Sequence, residues 1–262
     1  MKDQHAPPPV DTSSRKDTEI DPTRRRLLAM AGGAVALSLA PGVTLFARTL
    51  SAGKSAGGKA ARASVRYGLL IDANQCSSGC DACVRACQRY NGLSKEDGPD
   101  NAQWIRKVTV TDPQTGFTRS FPVMCQHCAK PACVEVCPTG ASFRRADGIV
   151  LVDKHRCIGC RYCLMACPYK ARSFVAHDVT DQKPWAPRGK GSAEGCTLCV
   201  ERVDKGGIPA CVAACSSQGK KVMLFGNLHD PQSPIARRLA QYPTTTIRAD
   251  LGMEPGVHYR GI

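Results

Sequence analysis

Residues 157–168 read CIGCRYCLMACP: Cys157, Cys160, Cys163 and Cys167 in the spacing C-x2-C-x2-C-x3-C, followed at once by Pro168. Three cysteines two residues apart wrap a short loop around one object, each thiolate reaching it from a different side. The fourth comes after a longer step and points away from the first three. The expected place for that fourth cysteine is the start of a helix, with the proline fixing the chain direction in the first helical turn.

Working outward, every one of the 16 cysteines falls into such a group. Upstream lie Cys76, Cys80, Cys83 and Cys87 (C-x3-C-x2-C-x3-C) and Cys125, Cys128, Cys133 and Cys137 (C-x2-C-x4-C-x3-C, then Pro138). Downstream lie Cys196, Cys199, Cys211 and Cys215 (C-x2-C-x11-C-x3-C). The run at 157–168 is the one by which bacterial ferredoxins hold a 4Fe–4S cubane, the last cysteine ligating the other cluster of a pair. Four complete groups therefore predict four 4Fe–4S clusters as cofactors. Disulfides fit poorly, because cysteines within a C-x2-C loop are poor partners for each other. Zinc sites built from two C-x2-C pairs do not explain the 157–168 run.

Composition agrees with a metal-supported fold. The chain of 262 residues has 24 Gly and 18 Pro but only 5% aromatic residues, so bulky core-formers are scarce and bound metal must help hold it together. The formal charge of +14 invites a nucleic-acid reading. The basic residues are scattered, however, and no aromatic ladder accompanies them. Residues 64–262 hold 26 basic and 17 acidic side chains, and four oxidised cubanes at about −2 each would bring that part near neutrality. No nucleic-acid partner is expected.

The segment Thr23-Arg24-Arg25-Arg26-Leu27-Leu28 leads into an uncharged run from Leu27 to Ala47. It resembles a twin-arginine export signal. A run of this length is also just able to span a bilayer, so a retained signal serving as an anchor stays open. The twin-arginine route carries folded proteins, which suits a chain whose clusters are built in a reducing compartment and used in the periplasm. Residues 1–22 read as a disordered N-terminus, 23–50 as the signal and 51–63, rich in Gly, Ala, Ser and Lys, as a linker.

Beyond residue 63 the pattern repeats as strand, cysteine loop, short helix, strand. Tyr67–Ala73 and Gly148–Val152 read as strands before the first and third groups, and 141–143 and 171–174 as strands after the second and third. Gln103–Val110 and Phe117–Val123 alternate around the turn DPQTG at 112–116 and predict a hairpin. Residues 178–195 read as a loop, Pro231–Gln241 as containing a short helix, and the last 20 residues as an extended tail. The fold class is α+β.

The stretch PVMCQHCAKPACVEVCPTGA at 122–141, with CTLC at 196–199, PACVAAC at 209–215 and GNLHDP at 226–231, resembles a known family. It is that of the four-cluster ferredoxin-like iron–sulfur subunits of membrane oxidoreductases of the nitrite, dimethyl sulfoxide and polysulfide reductase type. Within it the chain looks most like the periplasmic iron–sulfur subunit of Dsr complexes, tied to sulfite reduction or sulfur oxidation. The resemblance implies two bacterial-ferredoxin-like modules of two clusters each. Residues 64–91 with 190–226 would form an outer module, 92–120 a hairpin insertion, 121–178 a central module and 227–262 a C-terminal helix and tail. It also implies shared ligands. Cys76, Cys80, Cys83 and Cys215 would hold one cluster, and Cys196, Cys199, Cys211 and Cys87 a second. Cys125, Cys128, Cys133 and Cys167 would hold a third, and Cys157, Cys160, Cys163 and Cys137 a fourth.

The implied function is relay of electrons, with no catalysis of its own, between a multi-spanning quinone-interacting membrane subunit and a further redox partner such as a multihaem cytochrome c. The first group departs from the common pattern by its x3 step, where Gly79 is expected to permit a tighter turn. No ligand position carries Trp or Asp, so four-iron clusters are expected throughout. His127, between two candidate ligands, is expected to pack or to support the site, His155 to be structural, and Trp104 and Trp185 to lie in the core or at an interface. Arg144-Arg145 and Lys220-Lys221 are basic pairs, more simply solvated than docked on an acidic partner.

Overall fold

The computed structural model describes residues 61–93, 101–180, 182–219 and 222–262. The expected disordered N-terminus, the twin-arginine signal, the linker up to residue 60 and the pair Lys220-Lys221 lie outside them. In chain order the elements are β1 (Tyr67–Asp72), α1 (Ala82–Asn91), β2 (Ile105–Thr111), β3 (Thr118–Met124), α2 (Ala132–Glu135), β4 (Ser142–Arg144), β5 (Val150–Val152), α3 (Tyr162–Ala166), β6 (Arg172–Phe174), β7 (Ala193–Gly195), α4 (Val200–Val203), α5 (Ala210–Ser217), β8 (Met223–Asn227), α6 (Pro234–Gln241) and β9 (Val257–Arg260). Small sheets, short helices and connecting loops make up a mixed α and β fold.

β1 is the middle of a three-stranded sheet, antiparallel to β8 and parallel to β9. Its sequence is apolar on both faces: Leu69, Leu70 and Ile71 are all buried. A strand covered on both sides loses the alternation that a half-exposed strand keeps. α6 begins at Ser233, whose hydroxyl accepts from the Ala236 N–H, with Pro234 in the first helical position where a missing N–H costs nothing.

The hairpin forms as expected, β2 pairing with β3 from Ile105 opposite Met124 to Thr111 opposite Thr118. Asp112 closes its turn, accepting from the Gln114 N–H and the Thr115 hydroxyl, and Gly116 takes φ 69°. The base of the hairpin is buried at Ile105, Phe121, Val123 and Met124, whereas Val110 and Phe117 at its tip are exposed.

Two expectations need correction. The stretch 178–195 is not loop throughout: its end is β7, which pairs with β6 as β4 pairs with β5. Ala-Glu-Gly carries no strand propensity. The pairing depends instead on close backbone approach, since a Cβ at Gly195 would stand 2.7 Å from the Ala171 carbonyl oxygen. Nor are the last 20 residues a tail. β9 is a sheet strand on which Val257 and Tyr259 are buried while His258 and Arg260 are half-exposed. That alternation is the mark of a strand, and four residues were too short for it to stand out.

Among the described residues, most of the buried apolar side chains gather in three clusters. The largest joins the three-stranded sheet, the hairpin base, α1 and α5, and includes Leu69, Ile71, Trp104, Met124, Met223 and Tyr259 with Cys83, Cys87 and Cys211. The second gathers Cys125, Cys128 and Cys167 around Tyr169, Ala171 and Met253. The third holds Cys133 and Cys163 with Val150 and Ala193. Among the described residues no helix is long and apolar enough to cross a membrane.

Candidate metal centres

The fourth cysteine of a group does not open a helix, contrary to expectation. α3 ends at Ala166 and Cys167 is its C-cap. α2 ends at Glu135 with Val136 as its cap, so Cys137 lies just beyond. Pro138 and Pro168 act as stops, because a proline has no N–H to continue the helix. In the outer groups the spacing itself does the positioning. Cys83 and Cys87 sit four residues apart on α1, Cys211 and Cys215 four apart on α5, so each helix presents two thiols on one face. α1 and α5 pack against each other.

That packing brings thiols of different groups together. Burial first, then the thiols of Cys215, Cys76 and Cys80, push Cys83 up to about 12. Cys87 is raised well above the ordinary thiol value by burial and by Cys196 and Cys199. Cys211 is raised likewise, by burial, Cys87 and Cys199. In the central region, burial and then Cys125, Cys133 and Cys167 push Cys128 up to about 12. Cys163 is raised by burial against the opposing charge of Arg172, and it also feels Cys133, Cys157 and Cys137. Two neighbouring sets touch at Cys196, which feels Cys125 as well as Cys211.

A cavity of about 180 Å³ is bordered by Cys76, Cys80, Cys83 and Cys215. A smaller one, walled by Leu69, Trp104 and Met124, is bordered by Cys87, Cys196, Cys199 and Cys211. All 16 thiols are free of disulfides. Among the described residues no three His, Cys, Asp or Glu side chains converge as the ligands of a single ion would. Thiols that line a space without converging on one point fit a polynuclear cluster.

The loops supply donors to those sulfurs. The N–H of Ser142 donates to Cys137 Sγ at 3.3 Å, that of Ala193 to Cys157 Sγ at 3.4 Å, that of Leu198 to Cys196 Sγ at 3.4 Å and that of Ala210 to Cys199 Sγ at 3.5 Å. Asn91 Nδ2 donates to Cys87 Sγ at 3.4 Å. The residue two beyond the first cysteine has positive φ in three groups: His127 at 42°, Gly159 at 72° and Leu198 at 56°. This backbone turns successive N–H groups inward, the anion-binding arrangement found at iron–sulfur sites. For non-glycine residues it costs about 1–3 kcal/mol each and persists only where the site requires it. In the first group Gly79 is not left-handed and a Cβ there would meet nothing, so the expected need for glycine is absent.

A family model described as a 4Fe-4S dicluster domain matches residues 117–227. Iron–sulfur subunit 1 of an Hdr-like menaquinol oxidoreductase from Archaeoglobus fulgidus is 35% identical in an alignment that covers 90% of this chain and 97% of that one. The chain belongs to this 4Fe–4S iron–sulfur subunit family. Other relatives are a tetrathionate reductase subunit of Salmonella typhimurium, 36% identical over 75% of this chain and 73% of that one, and a sulfite dehydrogenase subunit of Allochromatium vinosum, 36% identical over 73% and 81%.

For this 4Fe–4S subunit, several residues around the thiols find defined roles. His127 is buried and its Nδ1 accepts from the Val150 N–H at 3.0 Å, so the ring proton belongs on Nε2. Burial, then Arg172, lower its pKa to about 3 and keep it neutral. It packs, as expected. Trp104 is buried in the largest core cluster. Trp185 is exposed, lies against Tyr90 and donates Nε1–H to the Tyr90 carbonyl at 3.0 Å. His155 is exposed, its backbone N–H donating to Asp153. Arg145 is not a solvated charge: its guanidinium pairs with Asp147 at 2.8 Å and Asp204 at 2.7 Å, joining two loops.

Lys107 was not singled out in the sequence, and no local pattern marks it. From β2 its ammonium donates to the carbonyls of Ser77, of Ser78 at 2.9 Å and of Cys80 at 2.7 Å. A single side chain thus ties down the first cysteine loop at its extra residue.

Proposed function

We propose that the protein is a non-catalytic relay subunit carrying four 4Fe–4S clusters in two ferredoxin-like modules, with ligand sets shared across the cysteine groups. The observation that carries this is the meeting of thiols from groups far apart in sequence, above all Cys215 with Cys76, Cys80 and Cys83, and Cys87 with Cys196, Cys199 and Cys211. Cys125, Cys128, Cys133 and Cys167 are the third set, and Cys137, Cys157, Cys160 and Cys163 the fourth. When bound, each cluster supplies a site that accepts and gives up one electron. The chain buries the inner thiols, directs N–H groups at the sulfurs and keeps the sets in sequence, with Cys83 beside Cys211, Cys196 beside Cys125, and Cys133 beside Cys163. One end of that line is partly exposed, at Cys76 and Cys80, and the other reaches the exposed Cys160. Around Cys160 the side chains of Ile158, Tyr162 and Met165 are exposed apolar surface on which a redox partner would rest.

The name of the Archaeoglobus relative supports a quinone-interacting membrane partner. The tetrathionate and sulfite names of two others support a role in dissimilatory sulfur metabolism. A multihaem cytochrome partner rests on the Dsr-type resemblance. Export by the twin-arginine route to the periplasmic face, with the domain boundaries given above, rests on the sequence.

The test is iron and acid-labile sulfide per chain on anaerobically isolated protein, with EPR on stepwise reduction. About sixteen iron atoms with spin-coupled reduced signals are expected. Little or no iron, with zinc in its place, overturns the reading. Lys107→Met should release three carbonyls from their common donor and loosen the Cys76–Cys80 loop. The same assay should then fall by about a quarter, to about twelve iron atoms, with Lys107→Arg restoring most of the loss. An unchanged iron content in Lys107→Met would deny the lysine this role.

A further inference from the structure

Arg172, on β6, is 8% exposed. Its Nη2 donates to Cys133 Sγ at 3.4 Å and to Ser142 Oγ at 3.1 Å. The charge acts on Cys133, Cys125 and Cys163, thiols assigned above to two different clusters. The buried carboxylate on the paired strand β7 is already engaged: Glu194 is held by Arg188 through both oxygens, at 2.9 and 3.0 Å. A buried guanidinium facing a thiol and a hydroxyl has no full counter-charge of its own, a condition folds rarely tolerate. Thiolates that carry a cluster on either side would supply one.

We propose that Arg172 is a permanent buried counter-charge held between two cysteine quartets, and that it raises the reduction potential of both clusters they bind. The inference rests on the four-cluster reading above. Reduction adds one electron to a cluster and nothing to Arg172, which stays protonated throughout. A fixed positive charge beside the sulfurs favours the more negative, reduced form, as hydrogen bonds and charge near a cluster are known to do. Because the guanidinium touches Cys133 directly and acts on Cys163 only through space, the cluster of Cys133 takes the larger share. Ser142 Oγ accepts from the same Nη2 and orients that nitrogen. The outer pair, held by Cys76, Cys87 and their partners, is untouched, so Arg172 separates the two modules in potential.

The experiment is a redox titration followed by EPR on the loaded protein, comparing wild type with Arg172→Gln and Arg172→Lys. In Arg172→Gln two of the four reduction waves should move to lower potential. The larger shift should be at least tenfold in the one-electron equilibrium, which is 59 mV. Arg172→Lys, keeping the charge but not the fork, should recover most of it. A fully loaded Arg172→Gln protein with unmoved waves overturns the proposal. Should that variant not assemble, wild type labelled with 15N-arginine decides. Hyperfine coupling of one guanidinium nitrogen to a reduced cluster supports the proposal, and its absence sinks it. Wild type with no iron would instead overturn the site assignment itself, and the iron assay tells that failure from the other.

Discussion

Stripped of iron by chelation under oxidising conditions, the protein is expected to lose its tertiary fold, beginning with the region from Cys125 to Phe174. The core there consists largely of sulfur. One buried cluster is Cys125, Cys128 and Cys167 with Tyr169, Ala171 and Met253, and the next is Cys133 and Cys163 with Val150 and Ala193. The regular elements between them are short: α2 has 4 residues, α3 has 5 and β4, β5 and β6 have 3 each. Helices of that length do not hold themselves. Without metal, the left-handed backbone at His127 and Arg161 becomes an uncompensated cost of about 1–3 kcal/mol per residue. Arg172 is left buried beside neutral thiols, since burial pushes Cys125 up to about 11 and raises Cys163. These losses are comparable with the whole margin of an ordinary domain, about 5–15 kcal/mol. Amide exchange should lose its protection over 125–174 and the near-UV circular dichroism should collapse. The outer sheet, with Leu69, Ile71 and Met223 buried, should retain residual protection. An iron-free protein that melts at the temperature of the loaded one would refute the view that cluster binding is folding energy here.

How much of this was legible depended on whether the determining contact was local. The hairpin was, because alternation on both sides of DPQTG and the turn chemistry of Asp112 lie within one stretch of chain. So were β1, β4, β5, β6 and α6, each adjoining a cysteine group or a capping serine. β7 was missed because Ala-Glu-Gly pairs through close backbone approach, which leaves no side-chain signal. The fourth cysteines of the second and third groups, Cys137 and Cys167, follow their helices where the sequence suggested that they open one. A proline after a cysteine reads equally well as a helix start or a helix stop, and only the ordering of α2 and α3 decides. Lys107 and Arg172 were invisible for a different reason. Each acts on a cysteine loop about 30 to 40 residues away in sequence, and a basic residue carries no mark of the carbonyls or thiols it will meet.

Tyr259→Ala is expected to destabilise the loaded protein by about 3–5 kcal/mol, the range for deleting a buried aromatic. Three residues from the chain's last position, this side chain is fully buried. It stands opposite Ile71 in the parallel register of β9 on β1. Its ring meets Phe121 edge-on, with centroids 5.5 Å apart. Its hydroxyl donates to the Pro122 carbonyl and accepts from Gln126 Nε2, both at 3.3 Å. One residue therefore joins the central sheet, the hairpin and the loop that carries Cys125 and Cys128. The backbone bonds of Tyr259 with Thr245, at 2.8 Å in each direction, do not depend on the side chain, so β9 should stay paired while its packing fails. Tyr259→Phe keeps the ring and loses only the two long hydrogen bonds, and should cost about 1 kcal/mol. Because unfolding with cluster loss is irreversible, the quantity to compare is the rate of iron release on heating or in denaturant. The Ala variant should lose iron faster than the Phe variant, and first from the quartet nearest Gln126. Equal rates for wild type and Tyr259→Ala would mean that the last strand is only laid against the sheet. Ala and Phe variants that lose iron equally fast, both faster than wild type, would mean that the hydroxyl, and not the buried ring, ties this strand to the cysteine loop.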